Sequence, residues 1–367
     1  MNSSGGTDPA SIDVDADLDE DEDLDAGPAR PRWQPRRRSR PPAHGAARTV
    51  FAVLAWFVLT ALALVALGRL VHLDDAIGWP YPALNALTPL LYLPVYAVLL
   101  VGFALRRNAL MVAVVPLIGL HLFWTVPEVW PATGGRDAPA GAVPVRVLAS
   151  NLLYHNADAG RLGAQIKADQ PDVVVLVEAS PLALGAVGRS GALAGYPHHV
   201  ELPKPGAFGF AVYSRFPLSD WSVREVGGQP LSRVTVTLDG GRKVLLYPVH
   251  TISPTTAANV RAWRSQLKAL TDEVRAAKLP VILAGDFNAT RDHRPLRRLL
   301  DAGVRDAHDV AGAGWSPTWS TESLLPPVLR IDHVLASPAF VVTGYHRGDR
   351  IGSDHLPVIV DLALRTP

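Results

Sequence analysis

Three long apolar stretches come first along the chain, and an alternating pattern follows them. Thr49 to Gly68 holds twenty residues without a charge, between Arg48 and Arg69. At about 1.5 Å rise per residue, that length matches a bilayer core. A second uncharged stretch runs from Ala76 to Leu105, with its usable span at 84–105 and with Pro89 and Pro94 expected as tolerated kinks. A third runs from Asn108 to Pro127, and His121 is its only titratable group. Three such stretches so close together favour transmembrane helices over 49–127 rather than buried helices of a soluble protein. The long segment before the first and the two spans after it argue against a cleaved signal peptide.

Beyond a Pro/Gly/Ala-rich linker at 128–143 the pattern shortens. Val145–Ser150 reads as a strand, Asp158–Ala168 as a helix and Asp172–Val177 as a buried strand. Residues 208–249 hold several antiparallel strands, with a turn at Asp239-Gly240-Gly241. Within 257–276, Val260, Trp263, Leu267, Leu270 and Val274 follow one another at helical spacing and predict an amphipathic helix. The apolar run Val281 to Ala284, bounded by Pro280 and Gly285, reads as a central buried strand. Strands at Ile331–Leu335, Val341–His346 and Val358–Leu364 close the chain. Helices interleaved with partly antiparallel strands predict a mixed-sheet α/β domain over 144–367.

Charge adds an orientation. The net charge of +1 conceals ten acidic residues and no Lys or Arg in 1–28, then seven Arg and no acid in 29–48. Runs of this kind predict a disordered, solvated tail over 1–48. The Arg-rich segment and Arg106-Arg107 belong on the cytoplasmic side, and the loop with Asp74 and Asp75 belongs outside. A multi-pass protein of the plasma membrane follows, its N-terminus cytoplasmic and everything after Pro127 extracytoplasmic. The chain has no cysteine, which excludes disulfide scaffolds, Cys nucleophiles and Cys-ligated zinc.

Polar residues stand at the ends of most predicted strands. Asn151 ends the first, Glu178 the second, His250 the stretch L-L-Y-P-V-H, and Asp286 and Asn288 the central one, while Asp332 sits in R-I-D-H-V and Asp354-His355 in G-S-D-H. Any one has a duller reading: Glu178 as a helix cap, His250 as a hydrogen-bonded core imidazole, Asp332 as a partner of Arg330. Charged groups that repeatedly break apolar strands are costly unless they are paired, and convergence on one site explains them together. Carboxylates and an amide oxygen suit a hard divalent cation such as Mg²⁺ or Mn²⁺, and imidazoles and an amide can bind phosphate oxygens. An Asp–His pair can orient a base for water. These are the parts of metal-assisted phosphoester hydrolysis. His333, His198-His199 and His293 read as packing, surface or turn residues, Arg215 as an anion contact or a structural pair, and Tyr154 and His155 as rim. Trp315 and Trp319 read as core or as a substrate wall.

The stretches Ser150-Asn151, Glu178, Y-S-R-F-P-L at 213–218, His250, G-D-F-N at 285–288, R-I-D-H-V at 330–334 and S-D-H at 353–355 resemble the endonuclease/exonuclease/phosphatase superfamily, whose members include DNase I, abasic-site endonucleases, inositol-polyphosphate 5-phosphatases and neutral sphingomyelinases. The resemblance covers essentially all of 144–367. It implies a four-layer α/β sandwich with two mixed sheets. It also implies that Glu178, with Asn151 and Asp354, holds the metal, and that His355, paired with Asp332, contacts the scissile phosphate or activates water. Asp286 would position or deprotonate the nucleophile with Asn288 holding it, and His250 would stabilise phosphoryl oxygens. The general base is left open between Asp286 and His355.

Three spans ahead of such a domain also resemble the VanJ-type teicoplanin-resistance proteins of actinomycetes. That layout implies a lipid-linked phosphate or pyrophosphate of cell-wall synthesis, such as an undecaprenyl carrier, as substrate. A linker of about fifteen residues holds the site among lipid head groups at high effective concentration. Two alternatives stand beside it: a tethered nuclease or sphingomyelinase-like phosphodiesterase, and a non-catalytic binding protein on the same fold. Residues 144–367 are not strongly basic, which weakens the nucleic-acid reading, and every catalytic position is filled, which weakens the binding-protein one.

Overall fold

The computed structural model describes residues 43–73, 76–130, 137–322 and 326–366. Of the tail expected over 1–48, residues 1–42 lie outside the described residues, as do the Asp74-Asp75 corner and the middle of the linker, and 43–48 are helical rather than disordered. Helix α1 (Ala43–Leu70) starts ahead of Thr49 and takes in Arg48, whose long side chain can reach polar surroundings from a helix end. The second apolar stretch is broken into α2 (Tyr81–Ala86), α3 (Thr88–Leu91) and α4 (Pro94–Leu105). Pro89 and Pro94 therefore do not kink one helix. Each sits in the first turn of a new one, where the missing N–H leaves no bond unmade. Helix α5 (Asn108–Val129) runs past Pro127 and carries Glu128 in its last turn.

Gly45–Leu70, Thr88–Leu105 and Asn108–Val129 are each long and apolar enough to cross a membrane. On α1, Ala55, Leu59, Leu62 and Ala66 recur at helical spacing and are buried against Val95, Val98, Leu110 and Val114. The other faces expose Phe57, Leu64, Leu100, Phe103, Val112 and Phe123. An outward apolar surface of this extent suits hydrocarbon rather than water.

The remaining chain builds two sheets with helices outside them. Its elements are β1 (Val143–Asn151), α6 (Leu162–Asp169), β2 (Val173–Val177), α7 (Pro181–Arg189), β3 (His198–Leu202), β4 (Phe210–Ser214), β5 (Leu218–Val226), β6 (Gln229–Leu238), β7 (Arg242–His250), α8 (Ala257–Ala276), β8 (Val281–Asp286), α9 (Arg294–Asp301), β9 (Arg305–Asp306), α10 (Ala307–Ala311), β10 (Asp332–Ala336), β11 (Phe340–Arg347) and β12 (Val358–Leu364). One sheet has the order β11-β12-β1-β2-β4-β3 and the other β5-β6-β7-β8-β10-β9. Each is mixed, with a single parallel pair at its centre: β1 with β2, and β7 with β8. The segment 208–249 is thus divided, β4 joining the first sheet and β5 to β7 the second.

The two-residue period of a strand explains the layers. Val145, Val147, Val173 and Val175 face Val234, Leu246, Ile282 and Ala284 in the core between the sheets. Their neighbours Leu148, Val174 and Leu176 turn outward beneath α6 and α7. Val281 and Leu283 turn outward against Trp263, Leu267 and Leu270 of α8. With both faces covered, the central strands can be apolar at nearly every position. The result is the four-layer sandwich that the resemblance implies.

Several contacts among the described residues bind this sandwich to the end of the helical segment where α1 and α5 finish. Arg69 lies 2.6 Å from Asp292, with its guanidinium 4.1 Å over the Trp124 ring. His293 Nε2 is 2.8 Å from the Pro82 carbonyl, and Arg264 donates to the Ile77 carbonyl. Arg330 grips Glu128 with two bonds, at 2.7 and 3.0 Å. Its other partners are Asp306, Asp309 and the His333 ring, so Asp332 is not its partner. Arg330 and Glu128 are both buried, and a buried guanidinium needs these anions. The acidic grouping of Glu128, His308 and Asp309 is accounted for by Arg330 and Arg291. Replacing Glu128 by Ala removes two charge-assisted bonds while Asp306 and Asp309 remain. We expect a loss of about 1.5–3 kcal/mol, seen as a lower unfolding midpoint of the full chain in detergent.

Candidate active site

The parallel pairs at the centres of the two sheets deliver their carboxyl ends to one place. Asn151 pairs with Val177 at the end of β1 and β2, so Glu178 follows beside it. In the other sheet His250 pairs with Asp286, and Asp286 with Asp332, which sets three functional side chains abreast on β7, β8 and β10. Gly285 makes the close approach possible. Its φ is +136°, and a Cβ there would sit 2.2 Å from the Val249 carbonyl oxygen. Glu178 and Asn288 also hold left-handed φ values, 51° and 46°. Non-glycine residues keep that conformation only where their surroundings impose it, as functional sites commonly do.

Asn151 joins the two sheets. Its Nδ2 donates to Glu178 Oε1 and to Asp286 Oδ2, both at 3.1 Å, while its Oδ1 accepts from the Leu153 amide. Asp286 is only 1 % exposed. The Asn288 amide donates to its Oδ1 at 2.8 Å, and Asn288 Nδ2 lies between Asp286 and the Thr251 carbonyl. His250 Nε2 stands 3.7 Å from both Glu178 and Asp286, held by its Nδ1 on the Ala207 carbonyl at 2.8 Å and by the stacked Phe208 ring. His355 Nδ1 meets Asp332 Oδ2 at 2.8 Å, which leaves Nε2 facing Asp286 at 3.7 Å. Ser353 sets that loop, donating to the Asn151 carbonyl and accepting from the His355 amide. All eight residues singled out in the sequence are therefore brought to one cleft.

Burial raises the Asp286 carboxyl to about 6, against the opposing pull of His355 and His250. For His355, burial favours the neutral ring, but Asp332, Asp286 and Asp354 outweigh it and raise the imidazole to about 10. At neutral pH the pair is a carboxylate facing an imidazolium.

The donor set suits a hard cation. Asp354 Oδ1 is buried with no hydrogen-bond partner among the described residues, and it lies beside the cluster. Together with the Glu178 carboxylate and the Asn151 amide it offers oxygen ligands of the type Mg²⁺ or Mn²⁺ prefers. Asp286, Asp332 and His355 also bring ligand atoms within 4.8 Å of one another. In that trio Asp332 holds Nδ1 of His355 and leaves Nε2 open, an arrangement that metal sites also use.

Several neighbours differ from expectation or were missed. Trp319 is neither core nor a plain wall: its Nε1 donates to Asp354 Oδ2 at 2.9 Å. Ala207 and Phe208 carried no sequence signal, and Ser353 stood in the S-D-H stretch without an assigned role. His293 is buried rather than on the surface, bonded by the Thr290 amide and facing Pro82. His333 packs away from the cleft on Asp306 and the Ala289 carbonyl, and Arg215 makes a structural pair with Asp172.

The model of the endonuclease/exonuclease/phosphatase family matches residues 148–355, more than half of the chain and all eight site residues. The chain belongs to this family. Among solved structures, the endonuclease/exonuclease/phosphatase of Bacteroides vulgatus aligns over 60 % of this chain and 99 % of its own, at 16 % identity and a TM-score of 0.52. A D. rerio TDP2 humanized by 14 mutations aligns over 60 % and 98 %, at 18 % identity and a TM-score of 0.50. The endonuclease/exonuclease/phosphatase of Beutenbergia cavernae aligns over 60 % and 72 %, at 27 % identity and a TM-score of 0.48. The first two show the fold, a DNase I-like pair of mixed sheets. No curated protein sequence matches the chain.

The Asp332–His355 pair can be tested by titration. Replacing Asp332 by Asn removes the anion that holds the imidazolium. In chelator-treated protein, the His355 ring followed by NMR should titrate below the wild type's value of about 10, with Asp286 and Asp354 still raising it. A raised histidine stabilises the fold fully below its unfolded value and loses that contribution as pH rises through the folded one. Wild-type protein should therefore lose stability between 6.5 and 10, and the variant should show a smaller alkaline limb.

Proposed function

We propose that this protein is a metal-dependent phosphoesterase of the membrane surface, acting on a lipid-linked phosphate or pyrophosphate such as undecaprenyl pyrophosphate. The observation that carries the reading is the direct bonding of the sandwich to the ends of two of the three membrane-length helices, through Arg69–Asp292 and Arg330–Glu128. A site anchored there meets head groups rather than solutes from the bulk. Arg106-Arg107 falls at the α4–α5 turn, the end of the helices away from Arg69 and Glu128, which supports a cytoplasmic turn and an extracytoplasmic active site. The resistance role implied by the VanJ-type layout belongs to the same reading and rests on that layout.

In this reading Glu178, Asp354 and Asn151 hold Mg²⁺ or Mn²⁺, with Trp319 fixing the Asp354 carboxylate. The bound ion supplies Lewis-acid stabilisation of charge on a phosphoryl oxygen. The His355 imidazolium, oriented by Asp332, donates from Nε2 to the phosphoryl group, and His250, whose Nδ1–H is committed to the Ala207 carbonyl, would donate to a second oxygen only with both ring nitrogens protonated. Asp286, held as a carboxylate by Asn288 and Asn151, accepts the proton of the attacking water. In this reading Asp286 rather than His355 is the base, a choice supported by the carboxylates that favour a protonated His355 ring.

The full-length protein in detergent, given undecaprenyl pyrophosphate with Mg²⁺ or with EDTA, should release phosphate only with the metal. Glu178→Ala, Asp286→Ala and His355→Ala should each abolish release while leaving the thermal transition in place. DNA cleavage without lipid hydrolysis would replace this reading with that of a tethered nuclease. Near-full turnover in two of the three variants would refute the site. Trp319→Phe keeps the ring but removes the bond to Asp354. It should raise the metal concentration for half-maximal activity by about tenfold or more, with little change in rate at saturating metal.

A further inference from the structure

An apolar groove of about 260 Å³ leads from the catalytic centre to the helices. Its inner end is formed by Asn288, bonded to Asp286, and by Trp319, bonded to Asp354. One wall comes from the catalytic domain, with Leu329 and Ile331 immediately before Asp332. The opposite wall comes from the membrane-side segment around α2, with Ala83 and Leu87. Among the described residues, no Asp, Glu, Lys or Arg lines it. Its histidine, His293, has both ring nitrogens engaged, by the Thr290 amide and the Pro82 carbonyl.

We propose that this groove receives the first segment of the apolar chain of a lipid phosphate whose head group lies at the catalytic residues. The inference rests on the lipid-phosphate reading and deepens it to a binding site. Three features favour this occupant. The groove is continuous with the cleft through Asn288 and Trp319, so a ligand can fill both at once. Its walls provide dispersion contacts and no cationic track, unlike a surface for a polynucleotide backbone. It also leads out along α2, beside helices of membrane length, so a chain leaving the groove stays in an apolar medium. At about 260 Å³ it is smaller than the roughly 300–1,000 Å³ of pockets that enclose a whole small molecule. It encloses part of a chain, and the rest remains in the bilayer. Ala83 and Leu329 are then specificity-determining residues that touch the chain and not the phosphate.

The test uses the full-length protein in phosphatidylglycerol/phosphatidylcholine vesicles containing a polyprenyl phosphate with a diazirine on the carbons nearest the phosphate. Irradiation and peptide mapping should place label on 253–255 and 329–331, which belong to the catalytic domain. Ala83→Trp, at an exposed position on α2, fills the groove and should reduce that label by about tenfold. Label confined to α1, α4 and α5, or label on 329–331 unchanged in Ala83→Trp, overturns the proposal. This readout needs no turnover, so absence of hydrolysis refutes the enzymatic reading without deciding the groove. Where wild-type protein hydrolyses both a polyprenyl phosphate and a short water-soluble phosphoester, Ala83→Trp and Leu329→Gln should lower kcat/KM about tenfold for the first and change the second by no more than about twofold. Equal losses on both substrates, or none on either, also overturn it.

Discussion

A carboxylate with almost no contact with solvent sits at the meeting point of the two sheets, and the rest of the site is arranged around the cost of keeping it there. Burial alone disfavours the charged form of Asp286. Its compensation comes from separate elements: Asn151 from β1, His250 from β7, Asn288 from the turn after β8, and His355 from the loop before β12. None of these is near another in sequence except Asn288. The pairing of Asp286 with His250 and Asp332 across three strands, and the glycine that permits β8 to approach β7, turn that electrostatic requirement into a demand on strand register. A slip of one residue would turn Asp286 to the other face of its sheet.

The same strand that carries Asp332 begins just after the residue that fastens the domain to the helices. Arg330 holds Glu128 of α5 and Asp306, and Asp332 two positions on holds His355. One short segment thus serves both, with Arg330 just ahead of the strand and Asp332 as its first residue. The intervening Ile331 lines the apolar groove. Anchoring, catalytic geometry and the groove wall are therefore fixed by three consecutive residues, so a change in how the helices seat Glu128 has a short path to the cleft.

Much of the site could be read from the chain because strand ends interrupted by Asn, Glu, His and Asp contrast with uniformly apolar strands. The amphipathic helix at Ala257–Ala276 was legible for the same kind of reason, a regular 3-and-4 spacing of large side chains. Other elements carried no such contrast. The edge strand His198–Leu202 is only half buried, and α7 is short and built largely of Ala, Gly and Leu. The breaks before Pro89 and Pro94 depend on whether the preceding turn could tolerate the ring, which spacing does not reveal. The Trp319–Asp354 bond and the Arg330–Glu128 clamp join residues 35 and 202 positions apart. Neither partner shows in its local sequence that the other is waiting.

That difference has a physical origin. Catalytic groups share a chemistry, so their residue types restrict one another even when their distances are unknown. A docking contact is restricted only by charge and by what the fold happens to bring near, and many arginines and acids along the chain could have met. Arg330 had Asp332 as an obvious neighbour in sequence, yet on an extended strand the two side chains need not converge on one group. Here one is drawn to the helices and the other to an imidazole. Had Arg330 paired with Asp332, His355 would have lost the anion that holds its proton, and Glu128 would have been left as a buried charge at the anchor. The pairing observed satisfies both charges at once, and it lets the clamp to the helices and the charged cluster of the cleft sit two residues apart.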